Sequence, residues 1–219
     1  PASLSADEAT PPPPDVGLIA FLRELVRRKP LGAAGGAVFL LFVVFGLLAD
    51  VIAPYGMNQT DLRARLEGPS LAHLFGTDHI GRDVFSRVLK GAQVSMTVAL
   101  VTSAFATIIS VAIGAIAGYF GGRLDAIIQR FVDAWMTFPD LVLLIVVISV
   151  LGPGATQIIV ILGLLYGIGG SRIVRGAVLS VRENSYTRAS QSIGAGWGHI
   201  IWRHILPNIA PVVIVVFTT

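Results

Sequence analysis

The chain alternates long apolar runs with short polar interruptions. Leu31–Ala53 is the first run, and Val94–Phe120 is the second, with no charge inside it. Trp135–Leu151 is the third, broken near its start by Pro139 and Asp140. The fourth covers about Ala155–Val174, with Arg172 near its end, and a fifth starts near Asn208 and reaches Thr219. A helix needs about 20 mostly apolar residues to cross a bilayer. Four runs meet that length. The fifth does not, because the nine residues from Pro211 to Thr219 are too few. The pattern predicts an all-α polytopic membrane protein with four complete transmembrane helices and a truncated fifth. The short last run and the lack of an initiator Met read as a fragment of a longer chain.

The polar interruption at Asn184–Pro207 stands out against this background. Its spacing predicts a short helix from Tyr186 to Ile193, a break at Gly194, and a second helix from Trp197 to about His204. Asn184 and Ser185 suit the first cap, since a side-chain oxygen accepts from an orphan N–H of the first turn. Gly194 suits a left-handed exit that a Cβ resists. Pro207 has no N–H to donate, so the second helix is expected to stop or kink near it. A helix–Gly–helix between two spans projects into water, where it can be touched by a partner.

Composition agrees with a membrane class. Hydrophobic residues make up 54% of the chain, charged residues only 13%, and the mean hydropathy is +0.77. A soluble domain carries about 25% charged residues. There is no Cys, which excludes a disulfide framework and a thiolate zinc site. The net charge is only +3, and the basic residues flank the spans, so nucleic acid is not implied. If the spans alternate, Arg23, Arg27, Arg28, Lys29, Arg123, Arg130, Arg172, Arg175, Arg182, Arg188 and Arg203 share one side, eleven in all. Arg63, Arg65, Arg82, Arg87 and Lys90 face the other side. The side with more Lys and Arg is cytoplasmic, which places the N-terminal tail and the projection there. Pro11–Pro14 give that tail a polyproline II character.

Glycines recur at four-residue spacing: Gly114, Gly118 and Gly122; Gly163 and Gly167; Gly32 and Gly36. Small residues on one helical face let another helix approach closely, and packing within the chain is the simplest reading. The loop on the far side holds Gly76-Thr77-Asp78-His79-Ile80-Gly81-Arg82-Asp83. Thr77 or Asp78 suits the cap of a helix through Val84–Lys90, and Asp78, Arg82 and Asp83 suit local pairing. A platform for a soluble partner is the alternative. Lys29 and Lys90 follow Arg28 and Leu89, so there is no Walker A motif. No HExxH or G-x-S-x-G occurs, and no catalytic residue or metal ligand is assigned. Charges are nearly absent from mid-span, where an ion-coupled pump keeps them.

Four stretches resemble the permease subunits of ABC importers, and more narrowly the C-type permeases of dipeptide, oligopeptide and nickel systems. They are FGTDHIGRDVFSRVLKGAQVS at Phe75–Ser95, GAIAGYFGGRLD at Gly114–Asp125, RFVDAWMTFPDLVLL at Arg130–Leu144, and SRIVRGAVLSVRENSYTRASQSIGAGWGHIIWRHILPN at Ser171–Asn208. The family's cytoplasmic signature is Glu-Ala-Ala, three residues, Gly, nine residues, Ile, one residue, Leu-Pro. Ala189, Gly194, Leu206 and Pro207 match it. Arg188 stands for the Glu, Ser190 for the second Ala, and His204 for the Ile. Arg188 reverses a charge, so an ionic contact of that Glu does not carry over.

The resemblance implies a type I importer permease with six transmembrane helices in the full chain. It divides the sequence into a tail over 1–17, an N-terminal region over 18–93, and a transmembrane domain over 94–219 with a coupling loop at 177–207. It implies that the projection, with Tyr186 among its contact residues, seats on an ATPase subunit. Two ATPase subunits would bind ATP and Mg, with no cofactor in this chain. A second permease subunit and an extracytoplasmic binding protein would complete the assembly. Nickel or another small solute is the alternative cargo, and an ion-coupled secondary transporter is the alternative of another class.

Overall fold

A computed structural model describes residues 23–24 and 26–218. The tail predicted over 1–17 lies outside the described residues. The fold is helical, with a single isolated β-bridge, Thr77 to Asp83, among the described residues. Two compact units are formed, Pro1–Gln93 and Val94–Thr219.

The first unit contains helix α1, Pro30–Ile52. Pro30 is accepted there because the first turn has no intrahelical use for its missing N–H. An irregular loop follows, and then helix α2, Val84–Phe120. The sequence reading separated a helix at Val84–Lys90 from a span starting at Val94. They are one helix of 37 residues, because Gly91 is the only weak helix former at the junction and one Gly costs only about 1 kcal/mol. At 1.5 Å per residue α2 is about 55 Å long, well beyond a hydrocarbon core of about 30 Å. Near the base of the loop, Asp50 of α1 pairs with Lys90 and accepts from Gln93 Nε2 at 2.8 Å.

The second unit contains the rest of α2, then α3 (Gly122–Trp135), α4 (Asp140–Leu151), α5 (Ala155–Arg182), α6 (Ser185–Ser192) and α7 (Trp197–Thr218). The third predicted span is corrected. Trp135 closes α3, and α4 starts only at Asp140, after a bend of 74° between the two. Pro139 disfavours a helical residue before it and lacks an N–H, so the chain turns through Met136–Phe138. At 12 residues α4 is about 18 Å long. Thus α1, α2, α5 and α7 are long and apolar enough to cross a membrane, and the bent α3–α4 pair is a broken or re-entrant fifth.

The glycine rows explain how α2 meets α5. A Cβ on Gly114 would fall 2.7 Å from the Ser171 carbonyl oxygen, and one on Gly118 would fall 2.8 Å from Val178 Cβ. The match is reciprocal. A Cβ on Gly163 would strike Phe105, and one on Gly167 would strike Ile109. Gly122 does not belong to this row: its φ is +57, and no atom would crowd a Cβ there. It opens α3 instead, after Gly121 at φ +65.

The expected stop at Pro207 is also corrected. α7 continues through Pro207 and Pro211 to Thr218. Residues Ile201–Ile205 form a π turn, in which Leu206 N–H donates to Ile201 O. Such a turn holds one residue more than an α turn, and it makes room upstream of the proline ring. It also sets the packing. Five residues of α-helix advance about 500°, which would leave Ile200 and Ile205 about 140° apart. With the π turn both are fully buried, and Ile209 continues the stripe. These three join Ala115, Val174, Val178 and Ile201 in the core of the second unit.

Candidate functional site

The Asn184–Pro207 segment is built on the end of α5. Thr187 is fully buried, and its Oγ1 donates to Val181 O at 3.0 Å, tying α6 back to α5. Asn184 starts α6 with its backbone: its carbonyl accepts from Thr187 and Arg188 N–H, both at 3.1 Å. Its side-chain amide donates to Tyr186 Oη at 3.1 Å, where a side-chain cap was expected. α6 ends at Gly194, whose φ is +83. Ala195 N–H donates to Ser190 O at 3.1 Å, which closes a Schellman turn around a C′ glycine. No atom lies within 4 Å of a Cβ on Gly194. The glycine is therefore needed for its backbone conformation and not for space.

The matched residues separate into two faces. Tyr186, Arg188 and Ala189 are exposed on α6, followed by Ile193 at 87% exposure. Ser190 and His204 face each other across the turn, with Ser190 Oγ 3.3 Å from His204 Nε2. The His204 ring lies 6.2 Å from that of Tyr186 and 5.7 Å, edge-on, from that of His199. Leu206 is half-buried and packs on the core, while Pro207 is exposed. The Ser190–His204 contact was missed in the sequence, where the two residues appeared only as separate departures from a signature.

Two ion pairs join α5 to α3. Arg175 grips Asp125 with both Nε and Nη2, and Arg172 Nη2 pairs with Asp133 Oδ1. Arg182 Nη1 donates to Gly118 O at 3.4 Å, holding the end of α5 to the end of α2. Arg172, Arg175 and Arg182 of α5 thus all have internal partners. Sequence spacing alone did not show this, since the partners are 39 and 50 positions away.

The second constellation, in the first unit, is a self-contained knot. Gly76 and Gly81 have φ of +73 and +77, and Cβ atoms there would fall 2.4 Å from Glu67 O and 1.7 Å from Asp61 O. Thr77 Oγ1 accepts from Glu67 N–H at 2.9 Å and donates to Ala64 O. Asp78 accepts from Ile80 and Arg82 N–H at 3.0 Å and from Arg82 Nε at 2.7 Å. Neither residue caps α2. Asp83 does, taking Ser86 N–H at 2.7 Å, because it directly precedes the first helical residue. Asp83 also pairs with His73 Nδ1 at 3.1 Å, and not with Arg82. Its place three residues before Ser86 is an N-cap signal in the sequence, whereas nothing there marks His73. Burial pushes the Asp78 carboxyl up, but the Arg82 and Ile80 N–H groups and the Arg82 guanidinium outweigh it and hold it well below the usual range. For Asp83, burial is likewise outweighed, by Ser86 and His73, and its carboxyl is also lowered.

With this geometry in view, similarity to known proteins is specific. Residues 110–219 match the family model described as the binding-protein-dependent transport system inner membrane component. Residues 21–69 match the N-terminal TM domain of oligopeptide transport permease C. A protein of Alkalihalophilus pseudofirmus named as a dipeptide transport system permease is 32% identical over 216 residues, covering 96% of this chain and 71% of the relative. An Escherichia coli protein named as a D,D-dipeptide transport system permease is 37% identical over 191 residues, covering 87% and 64%. A Brucella abortus protein named as a peptide permease is 39% identical over 184 residues, covering 84% of this chain. The chain spans 61% of the length of that last relative. The chain belongs to the family of binding-protein-dependent inner-membrane transport components, with an N-terminal segment of the oligopeptide permease C type.

Proposed function

We propose that this chain is a transmembrane subunit of an ATP-driven importer that carries dipeptides or oligopeptides into the cell. In this reading the α6–Gly194–α7 segment is the element through which ATP hydrolysis on other subunits moves the spans. One observation carries it: the polar stretch Trp197–His204 that follows the turn and the apolar stretch Leu206–Thr218 are one continuous helix. Its inner face is locked into the core by Ile200, Ile205 and Ile209, while Tyr186, Arg188 and Ala189 of α6 stay exposed. A push on the turn is therefore passed directly into the membrane. Ala189, Ser190, Gly194, Leu206 and Pro207 shape the element, and Tyr186 and Arg188 offer its contact face.

The partners follow from the family. They are a second permease subunit, two ATPase subunits that bind ATP and Mg, an extracytoplasmic binding protein, and the bilayer. The eleven-to-five division of Arg and Lys supports a cytoplasmic N-terminus. The peptide cargo is supported by the names of the relatives; nickel or another small solute is the second reading within the family.

The test is uptake by the full-length permease reconstituted with its partner subunits. Peptide uptake should require ATP and both ATPase subunits. Uptake that persists without them and follows an imposed ion gradient would sink this reading in favour of a secondary transporter.

A further inference from the structure

A cavity of about 900 Å³ opens within the second unit, between α2, the α3–α4 bend, α5 and the far end of α7. That volume lies in the range of about 300–1,000 Å³ typical of small-molecule sites. Its wall is mostly apolar. The polar side chains on it are Ser95, Thr102 and Ser103 of α2, Trp135 and Asp140 at the bend, and Tyr166 of α5.

Three of these groups lack partners. The Thr102 hydroxyl and the Trp135 indole N–H are buried without a hydrogen bond. Among the described residues one further atom, Gln129 Nε2 of α3, shares this state without lining the cavity; other hydroxyls on these helices are satisfied. Thr107 donates to Ser103 O, Ser110 to Gly167 O, and Ser171 to Ile168 O. The Asp140 carboxylate has no hydrogen-bond or ion-pair partner among the described residues, whereas Asp50, Asp125 and Asp133 each hold a Lys or Arg. Asp140 also suits the first turn of α4 through the helix dipole, but that role accounts for neither Thr102 nor Trp135.

Buried donors without acceptors are costly; the Asp140 carboxylate, exposed and lining the cavity, is an unpaired negative charge open to a cation. A ligand that answers all three carries an ammonium together with a carbonyl or carboxylate. We propose that this cavity is a site for a short peptide in transit, with Asp140 taking its ammonium group and Thr102 and Trp135 donating to its main-chain oxygens. Neither donor atom is open to the cavity in this conformation, so Thr102 and Trp135 each turn about χ1 to meet the ligand. The proposal rests on the peptide-import reading and assigns that reading its residues.

The test uses the full-length permease with its partner subunits. Uptake of a dipeptide and of its N-acetylated form is measured per assembled transporter for wild type, Asp140→Asn, Asp140→Glu and Thr102→Val. All four share one binding protein, so its selectivity cancels in the variant-to-wild-type ratio. Asp140→Asn should reduce the preference for the free ammonium about tenfold through KM, the effect of losing about 1.4 kcal/mol. Asp140→Glu, which keeps the charge, should retain the preference. Thr102→Val should raise KM for both peptides. An unchanged preference in Asp140→Asn, or a loss of kcat alone with both peptides alike, overturns the cavity assignment and leaves peptide import standing. A wild-type transporter that takes up no peptide overturns both.

Discussion

Ser190 Oγ and His204 Nε2 lie 3.3 Å apart and bridge the two helices on either side of Gly194. These are two of the three positions at which the chain departs from the signature it resembles, which has Ala and Ile there. A polar contact thus stands where that signature has two apolar residues. We predict that Ser190→Ala and His204→Ile each weaken the turn by about 1 kcal/mol, the scale of one hydrogen bond. The double variant should recover most of that loss. Thermal unfolding of the detergent-purified permease through the full cycle checks this, and strictly additive losses would mean the pair is incidental.

Gly194 should tolerate change in proportion to backbone strain alone. Its φ is +83 and nothing crowds a Cβ. A left-handed residue with a Cβ costs about 1–2 kcal/mol, and a β-branched one more. Gly194→Ala should therefore retain part of the ATP-dependent uptake. Gly194→Val should insert normally yet hydrolyse ATP without transport. Normal uptake by Gly194→Val in proteoliposomes would remove the coupling role.

The helix glycines offer a contrast. Gly114→Ala places a Cβ 2.7 Å from a backbone oxygen of α5, which cannot move aside cheaply. Gly91→Ala meets nothing within 4 Å and should gain up to about 1 kcal/mol of helix propensity. Melting temperatures of the two variants should move in opposite directions.

Arg175 and Asp125 form a two-point contact between α5 and α3, and Asp125 is only 14% exposed. Asp125→Arg alone sets two guanidinium groups against each other and should strongly lower the yield of folded permease. Adding Arg175→Asp should restore a substantial part. Yield after membrane extraction reads the effect, and failure of the swap to rescue would mean that the helix environment, not the pair, selects these residues.

The Asp78 end of the knot, whose partners are the Ile80 and Arg82 N–H groups and the Arg82 guanidinium, should be insensitive to pH over the physiological range. Its carboxyl titrates lower in the folded loop than in an unfolded chain. A lowered folded value means that the stabilisation is fully present above about pH 4 and is lost only as the pH falls toward the folded value. Amide exchange at Ile80 and Arg82 should thus be flat from pH 8 to 5 after correction for intrinsic rates, and protection should fall below pH 4. Asp78→Asn should flatten that acid loss.

The sequence made some of this legible and hid the rest, for identifiable reasons. Gly194 was readable because a polar break and a left-handed residue leave local marks. The long apolar helices α1, α2 and α5 were readable because hydropathy is a property of the segment itself. The continuity of α7 was not, because a proline normally argues for a stop, and the π turn that accommodates it depends on burying Ile200 and Ile205 together. The bend at Met136–Phe138 was masked by the apolar run on both sides of it. The Arg172–Asp133 and Arg175–Asp125 pairs connect distant positions, and only tertiary packing brings them together.

The π turn has one further consequence. Its surplus residue sits between the end of α7 that meets the Gly194 turn and the apolar end at Leu206–Thr218. Keeping all five residues of Ile201–Ile205 but returning them to α geometry would swing Trp197–Ile200 by about 100° relative to Leu206–Thr218. The compass bearing of the α6 contact face is therefore set by whether that one turn closes with π or α bonding, and a switch between the two would re-aim it without altering a single exposed side chain.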